Sequence, residues 1–249
     1  MDEDKLYKQI DLAERPERRE DSDRKISEAV FDRESLMGLY DLLRKGAFTE
    51  LKSIISTGKE ASLFHASRGS EEVAVKIYLV ETSDFRHMCK YVRGDPRFHS
   101  WKNQRQLVYM WAQKEFKNLS RVQDVIRCPK PIAFHNNILV MDFLGEDGHS
   151  APRLKEAAID DPLGCYNKVM GYVQEMYKLR LVHADLSEYN ILYWKGEPYI
   201  IDLSAGVLLD HPSSMEFLER DIGNVVNFFK KLGVEADYNS ALKGVLDAG

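Results

Sequence analysis

The sequence predicts an α+β chain of two unequal lobes, a strand-rich one followed by a helical one. Three observations carry the prediction. Short, β-branched, alternating segments cluster between residues 51 and 143, apolar stripes at helical spacing dominate from residue 165 onward, and the change falls near 145–152. At 249 residues the chain can bury a sizeable core without metal or disulfide staples. Its 44% hydrophobic and 30% charged residues exclude both a disordered and a membrane-embedded chain. No apolar run approaches the ~18 residues that a membrane helix needs. The charged N-terminus is no secretory leader. Cys89, Cys128 and Cys165 lie far apart with no CxxC pair, so they read as buried thiols of a reducing, cytoplasmic compartment. The net charge of −5 argues against wrapping nucleic acid over the whole surface but leaves room for a local basic patch.

Taken in order, residues 1–30 crowd both signs of charge (DEDK, ERPERREDSDRK) and read as a solvated helix or mobile arm. From Asp32 onward Leu36, Leu39, Tyr40 and Leu43 recur at helical spacing, and Gly46 stands where a C-terminal cap belongs. LKSIIS (51–56), ASLFHA (61–66) and EVAVKIYL (72–79) are strands, with Gly58 and Gly69 in the turns between them. Residues 82–102 carry Arg86, Lys90, Arg93, Arg97 and Lys102 interleaved with Phe85, Tyr91, Phe98 and Trp101. That segment reads either as a flexible loop or as a contact for RNA phosphates and unstacked bases. A helix over 103–119 and strands near 131–134 and 137–143 follow. Helices over 165–181, 215–232 and 238–246 fill the rest, with a hairpin of ILYW (191–194) and PYIIDL (198–203) around Lys195-Gly196. The expected division is 1–47 (arm and helix), 48–144 (small lobe, with the loop at about 82–102) and 145–249 (helical lobe).

The most informative segment is LVHADLSEYNIL (181–192). A His, an Asp two residues later and an Asn five beyond that (190 − 185 = 5) match the spacing of a kinase catalytic loop. Asp185 can accept a hydroxyl proton or orient a nucleophile, while the Asn190 amide oxygen binds a metal without adding charge. Asp202 closes the apolar strand Tyr199-Ile200-Ile201, twelve residues after Asn190 (202 − 190 = 12), and a hairpin brings the two to one end of the sheet. A neutral oxygen donor and a carboxylate suit Mg²⁺ holding phosphates, with Mn²⁺ as the alternative ion.

In VAVKIYL (73–79), alternation places Val73, Val75, Ile77 and Leu79 on one face and Ala74, Lys76 and Tyr78 on the other. Lys76 either snorkels to water or meets an anion, and the V-A-V-K order resembles the kinase lysine that grips the α- and β-phosphates. Glu115 falls within the stripe Val108, Trp111, Ala112, Phe116 and Leu119, where a carboxylate is costly unless paired, and Lys76 is its natural cation. Lys114 and Lys117 flank it, so a stripe edge facing water is the other reading. The turn Ser56-Thr57-Gly58-Lys59-Glu60-Ala61-Ser62 has one glycine and no G-x-G-x-x-G. It can still aim backbone N–H groups, a Ser56 or Ser62 hydroxyl and the Lys59 ammonium at phosphates.

Together STGKEA, VAVKIY, DFRHMCKYVRGDPRF, WAQKEFKNL, LVHADLSEYNIL and IIDLSAGV…DHP resemble the RIO family of atypical serine protein kinases, over about residues 30–235. Within the family the similarity is to the first subfamily, because the second carries an N-terminal winged helix for which this chain has no room. The resemblance implies a bilobal protein-kinase-like fold, with a small antiparallel-sheet N-lobe, a reduced helical C-lobe and an N-terminal helical extension. It implies Mg²⁺-ATP, serine autophosphorylation or phosphorylation of a serine-containing protein, and a role in maturation of the small ribosomal subunit, with its precursor RNA and proteins as partners. It makes Asp185 the catalytic-loop Asp, Asn190 and Asp202 metal ligands, Lys76 the phosphate lysine and Glu115 its partner. Ser56, Gly58, Lys59 and Ala61 belong to the phosphate turn. Met141, Asp142 and Leu144, at the end of strand 137–143, supply adenine contacts. Asp202 can also accept the phosphate as an acyl-phosphate, which makes the chain an ATPase-driven switch as well as a kinase.

Departures bear on the substrate. Ser187 stands two after Asp185 where kinases commonly have lysine, Asp202-Leu203-Ser204 replaces D-F-G, and 249 − 202 = 47 residues follow Asp202 with no A-P-E. A long peptide substrate is therefore not expected. Two other readings share the motifs: a small-molecule phosphotransferase, and an assembly factor that binds RNA or the ribosome under nucleotide control with little catalysis.

Overall fold

The computed structural model describes residues 32–80, 85–98 and 100–249. The charged arm expected over residues 1–30 lies outside them. The described chain opens with helix α1 (Arg33–Arg44), started by Asp32, whose carboxylate accepts the Ser35 N–H at 2.8 Å. It ends where Gly46 takes a φ of +72°, as its position predicts. Strands β1 (Glu50–Thr57), β2 (Ala61–Arg68) and β3 (Glu71–Tyr78) then run antiparallel. Helices α2 (Phe85–Val92) and α3 (Gln104–Val122) follow, before β4 (Pro131–His135) and β5 (Ile138–Asp142) complete a five-stranded sheet of order β1-β2-β3-β5-β4. A short hairpin, β6 (Gly145–Glu146) and β7 (His149–Ser150), comes next.

The chain divides into two compact units. The first contains residues up to 90, 100–116 and 130–150. Its core joins Leu39 and Leu42 of α1 to Phe64, Val75, Ile77, Ile138 and Val140 of the sheet. Gly38 permits that packing, since a Cβ there would stand 3.1 Å from both His135 and Ile138 side chains. The N-terminal end of α1 is also fastened to α3. Arg105 reaches Asp32 at 2.6 Å and Glu34 at 3.2 Å, and Tyr109 O–H donates to Glu34 at 2.8 Å.

The second unit contains residues 91–99, 117–129 and 151–249. Helix α4 (Pro162–Lys178) starts at Asp161, which accepts the Gly164 N–H, with Pro162 in the first turn where a missing N–H costs nothing. It is followed by β8 (Leu181–Val182), β9 (Ile191–Trp194), β10 (Glu197–Ile200), β11 (Val207–Leu208), α5 (Ser214–Lys231) and α6 (Tyr238–Leu246). β9 and β10 form the expected hairpin, turned at Lys195 and Gly196 with φ of 52° and 78°, the twist that a two-residue hairpin loop requires. Val169, Val173 and Met176 of α4 and Phe217, Ile222, Val226 and Phe229 of α5 supply its core.

Two local expectations change. Residues 85–92, read from sequence within a loop, are the helix α2. Met88, Tyr91 and Val92 recur at i, i+3 and i+4, and burying them outweighs the basic residues between them. Strand β10 also stops at Ile200, two residues before Asp202. Asp202 itself has a φ of +58°, a left-handed conformation that no strand contains.

Candidate active site

In the first unit the site is built around Lys76. β3 lies between β2 and β5, and its Lys76 pairs in register with Leu63 and Leu139, so the side chain rises from the middle of the sheet. Its Nζ stands 3.1 and 3.0 Å from the two carboxylate oxygens of Glu115, and 4.9 Å from the centroid of the Tyr78 ring. Tyr78 shares the Lys76 face, as alternation requires, and donates its O–H to the same carboxylate. Glu115 is 1% exposed and the Lys76 side chain 13%, so the cation meets its carboxylate away from bulk water. Glu115 therefore does not lie at a solvated stripe edge. Its neighbour Lys114 is buried as well and sits over the Trp111 ring.

The turn between β1 and β2 is closed by Gly58 N–H donating to Ala61 O at 2.9 Å. Ser56, Gly58 and Lys59 are exposed there, and Ala61 begins β2. The Ser62 hydroxyl is buried and has no hydrogen-bond partner among the described residues, and Ser62 pairs with Ile77, so it lies on the α1-core face of the sheet and not on the Lys76 face. On β5, Met141 lies opposite Ala74. Asp142 gives its N–H to Lys130 O at 2.9 Å, so that group is not available to an adenine edge. Burial raises the Asp142 carboxyl above its ordinary range, against the pull of the Lys130 N–H and charge. Leu144 follows the strand, half-buried, just before β6.

The second unit assembles the acidic residues. Asn190 donates its side-chain N–H groups to Asp185 O at 2.8 Å and to Asp185 Oδ2 at 3.0 Å, which leaves the amide oxygen as its acceptor. Ile201 N–H donates to Asn190 O at 3.0 Å, so the backbone that leads into Asp202 runs beside Asn190 at one end of the β9–β10 hairpin. Ser204 Oγ–H donates to Asp202 Oδ1 at 2.7 Å. His183 is buried: its Nδ1 accepts the Asp185 N–H at 3.3 Å, which leaves Nε2 to donate to Ile201 O at 3.0 Å. The imidazole thus ties the Asp185 loop to the residue before Asp202. An amide oxygen and a carboxylate on one hairpin end are donors of the type that Mg²⁺ takes alongside phosphate and water. Among the described residues no group of three His, Cys, Asp or Glu is placed to hold a metal, so they form no closed zinc-type cage.

Several supporting residues escape sequence reading. Asp221 of α5 accepts Ala184 N–H at 2.7 Å and Leu186 N–H at 2.9 Å, and so grips the loop on both sides of Asp185. Its burial pushes the carboxyl up to about 7, against those two N–H groups. Ala184, held between them, has a φ of +66°, a conformation that persists only when its surroundings impose it. Arg220 donates to Ala184 O, and Asn224 donates to Leu186 O at 3.0 Å. The available signal was an acid inside the apolar stripe Phe217, Leu218, Ile222 and Val225, the same signal that singled out Glu115.

The basic-aromatic segment is absorbed by the fold only in part, since Arg86, Lys90, Arg93 and Lys102 are exposed. Tyr91 packs on Phe217 with ring centroids 5.2 Å apart. Arg93 O lies 3.0 Å from His211 Nε2, and Arg97 is engaged by Asp95 at 2.6 Å. Of these contacts only those of Tyr91 and Arg97 use the side chain, because Arg93 is held through its backbone carbonyl.

A family model described as the RIO domain matches residues 62–241. A "RIO-type serine/threonine-protein kinase Rio1" of Haloferax volcanii is 43% identical over 219 residues, covering 87% of this chain and 76% of that protein. A protein of the same name from Thermoplasma acidophilum is 45% identical over 177 residues, covering 70% of this chain and 94% of its own length. Human "Serine/threonine-protein kinase RIO1" is 43% identical over 221 residues, and there the chain spans only 39% of the relative. Among solved structures, the Rio2 kinase of Chaetomium thermophilum, in its ADP/Mg²⁺-phosphoaspartate complex, aligns with a TM-score of 0.65 at 21% identity. That alignment covers 84% of this chain and 65% of the other. The likeness shows a kinase-like α+β fold.

Proposed function

The chain belongs to the RIO family, in its first, Rio1, subfamily, and from that premise we propose that it is a serine/threonine protein kinase and ATPase that uses Mg²⁺-ATP. The observation that carries the reading is the end of the β9–β10 hairpin, where Asn190 is bonded to Asp185 and the backbone entering Asp202 is bonded to Asn190. In this reading Asn190 and Asp202 hold Mg²⁺, which neutralises phosphate charge, with Mn²⁺ as a substitute. Lys76, kept in place by Glu115, grips the phosphates, and the turn of Ser56, Gly58, Lys59 and Ala61 covers them with its backbone N–H groups. Met141, Asp142 through its carbonyl, and Leu144 meet the adenine. Catalysis is then positioning plus charge neutralisation, with Asp185 orienting the acceptor hydroxyl.

The acceptor is a serine of this chain or of another protein, or the Asp202 carboxylate. In the last case a carboxylate oxygen bonds the γ-phosphorus as the bond to ADP breaks, and water later releases phosphate, which amounts to ATP hydrolysis. The family resemblance adds a cytoplasmic role with small-ribosomal-subunit precursors. The test is incubation of purified protein with γ-labelled ATP and Mg²⁺, followed by hydroxylamine. Label lost to hydroxylamine marks an acyl-phosphate, whereas acid-stable, resistant label marks phosphoserine. Asp185→Ala and Asp202→Ala each abolish transfer while the fold survives. Full turnover in both variants would refute the assignment.

A further inference from the structure

We infer that Asn118 is a positioning residue for the turn that follows Asp202, held in its working orientation by the Asp95–Arg97 pair. The inference rests on the reading of Asp202 as a metal ligand. Asn118 is fully buried, and its amide nitrogen donates to two carbonyls of that turn, Leu203 O at 2.7 Å and Gly206 O at 2.9 Å. The turn itself is closed by Gly206 N–H donating to Leu203 O at 3.1 Å. Ser204, whose hydroxyl binds Asp202 Oδ1, lies inside the turn, so its geometry is passed directly to the carboxylate.

The orientation of the amide is fixed from its other end. Arg97 Nη1 donates to Asn118 Oδ1 at 2.6 Å, and rotating the amide by half a turn would set N–H against guanidinium and oxygen against two carbonyls. Arg97 is in turn forked onto buried Asp95, with Nε to Oδ1 at 2.9 Å and Nη2 to Oδ2 at 2.6 Å, and it reaches Gly206 O at 3.4 Å. A bidentate pair of this kind has little freedom. Gly206 supplies an independent sign. A Cβ there would lie 2.8 Å from Asn118 Nδ2, so the residue must be glycine for the amide to come this close. The turn lacks the glycine of D-F-G at position 204 and has one at 206, where this contact needs it. The left-handed Asp202 backbone is costly for a non-glycine residue and is retained only where neighbouring structure imposes it. The Asn118 bridge begins one residue after Asp202, at Leu203 O, and so braces the turn that this backbone enters.

Asn118→Asp keeps an acceptor for Arg97 and removes both donors to the turn. Binding of Mn²⁺ in the presence of ADP, read from the spin-resonance signal of free Mn²⁺, should weaken by about 10- to 100-fold, the range seen when groups that orient metal ligands are lost. Gly206→Ala, which displaces the amide instead of altering it, should weaken binding in the same way and decides the matter if Asn118→Asp does not fold. ADP binding in EDTA should stay at the wild-type level for both. A folded variant that binds Mn²⁺ as tightly as wild type overturns the inference, because a purely structural role lowers the melting temperature without touching the ion. Asp202→Asn is run alongside. If it too binds Mn²⁺ normally, the metal reading of Asp202 falls and takes this inference with it, whereas a loss confined to Asp202→Asn refutes Asn118 alone.

Discussion

Replacing Glu115 by Gln removes the negative charge that Lys76 meets at 3.0 Å, yet leaves an amide oxygen to accept the Tyr78 hydroxyl. Removing one partner of a buried pair costs about 3–5 kcal/mol, because the remaining charge is stranded away from water. The Lys76 side chain retains 13% exposure, so the low end, about 3 kcal/mol, is expected. For a chain of this size each kcal/mol lowers the melting temperature by about 2–4 °C, which gives a drop of about 6–12 °C. Lys76→Met strands the carboxylate instead and should lose a similar amount. The double variant Lys76→Met/Glu115→Gln contains neither charge and should recover to within about 1 kcal/mol of wild type, since a neutral pair of similar volume is often as stable as the ion pair. Urea unfolding of all four proteins yields the coupling energy, and phosphoryl transfer is measured on the same samples. Activity should be lost in the double variant although stability returns, which separates the phosphate role of Lys76 from its structural one. Strictly additive losses, with the double variant down by about 6 kcal/mol, would refute the reasoning.

Asp221 makes a pH prediction. Its folded pKa of about 7 lies above the ordinary 3.8, so between those values the folded chain holds a proton that the unfolded chain has released. This group therefore makes stability fall as pH rises from about 4 to about 7, with no further change above, and Asp221→Asn should remove that slope from pH-dependent unfolding curves. Only the ionised carboxylate presents two bare oxygens to Ala184 and Leu186, so turnover should rise with pH through about 7 in wild type and lose that rise in Asp221→Asn, as a pH–rate profile will read. At the other end of the chain, Asp32→Ala removes the α1 cap and a half-exposed ion pair. It should cost about 1–2 kcal/mol by urea unfolding. Burial pushes the Asp32 carboxyl up, but the Ser35 N–H and Arg105 more than offset this and hold it below its usual range. Its contribution is thus present near neutrality and lost as pH falls through the lowered pKa, so the gap between variant and wild type should close in acid.

What could be read from the sequence was whatever depends on spacing along one element. Alternation placed Lys76 and Tyr78 on one face of β3, and the 3.6-residue period placed Glu115 on the buried stripe of α3, so their meeting followed from the cost of hiding a lone carboxylate. The turn at Lys195-Gly196 and the helix end at Gly46 are equally local, because each is decided by the backbone preferences of a few neighbouring residues. Residues 85–92 form a helix for a local reason too: Met88, Tyr91 and Val92 fall at helical spacing, and the basic residues between them mask that period.

Tertiary structure alone decided the groups whose partners lie far along the chain. Asp221 grips backbone 35 and 37 residues away, and Asn118 bridges carbonyls 85 and 88 residues away. Nothing in their immediate sequence specifies a main-chain N–H or C=O as partner, since every residue type but proline has both groups and only folding chooses which are presented. The backbone is left-handed at both Ala184 and Asp202. Asp tolerates that conformation locally, but alanine does not favour it, and at Ala184 the side chains of Asp221 and Arg220 hold the backbone there.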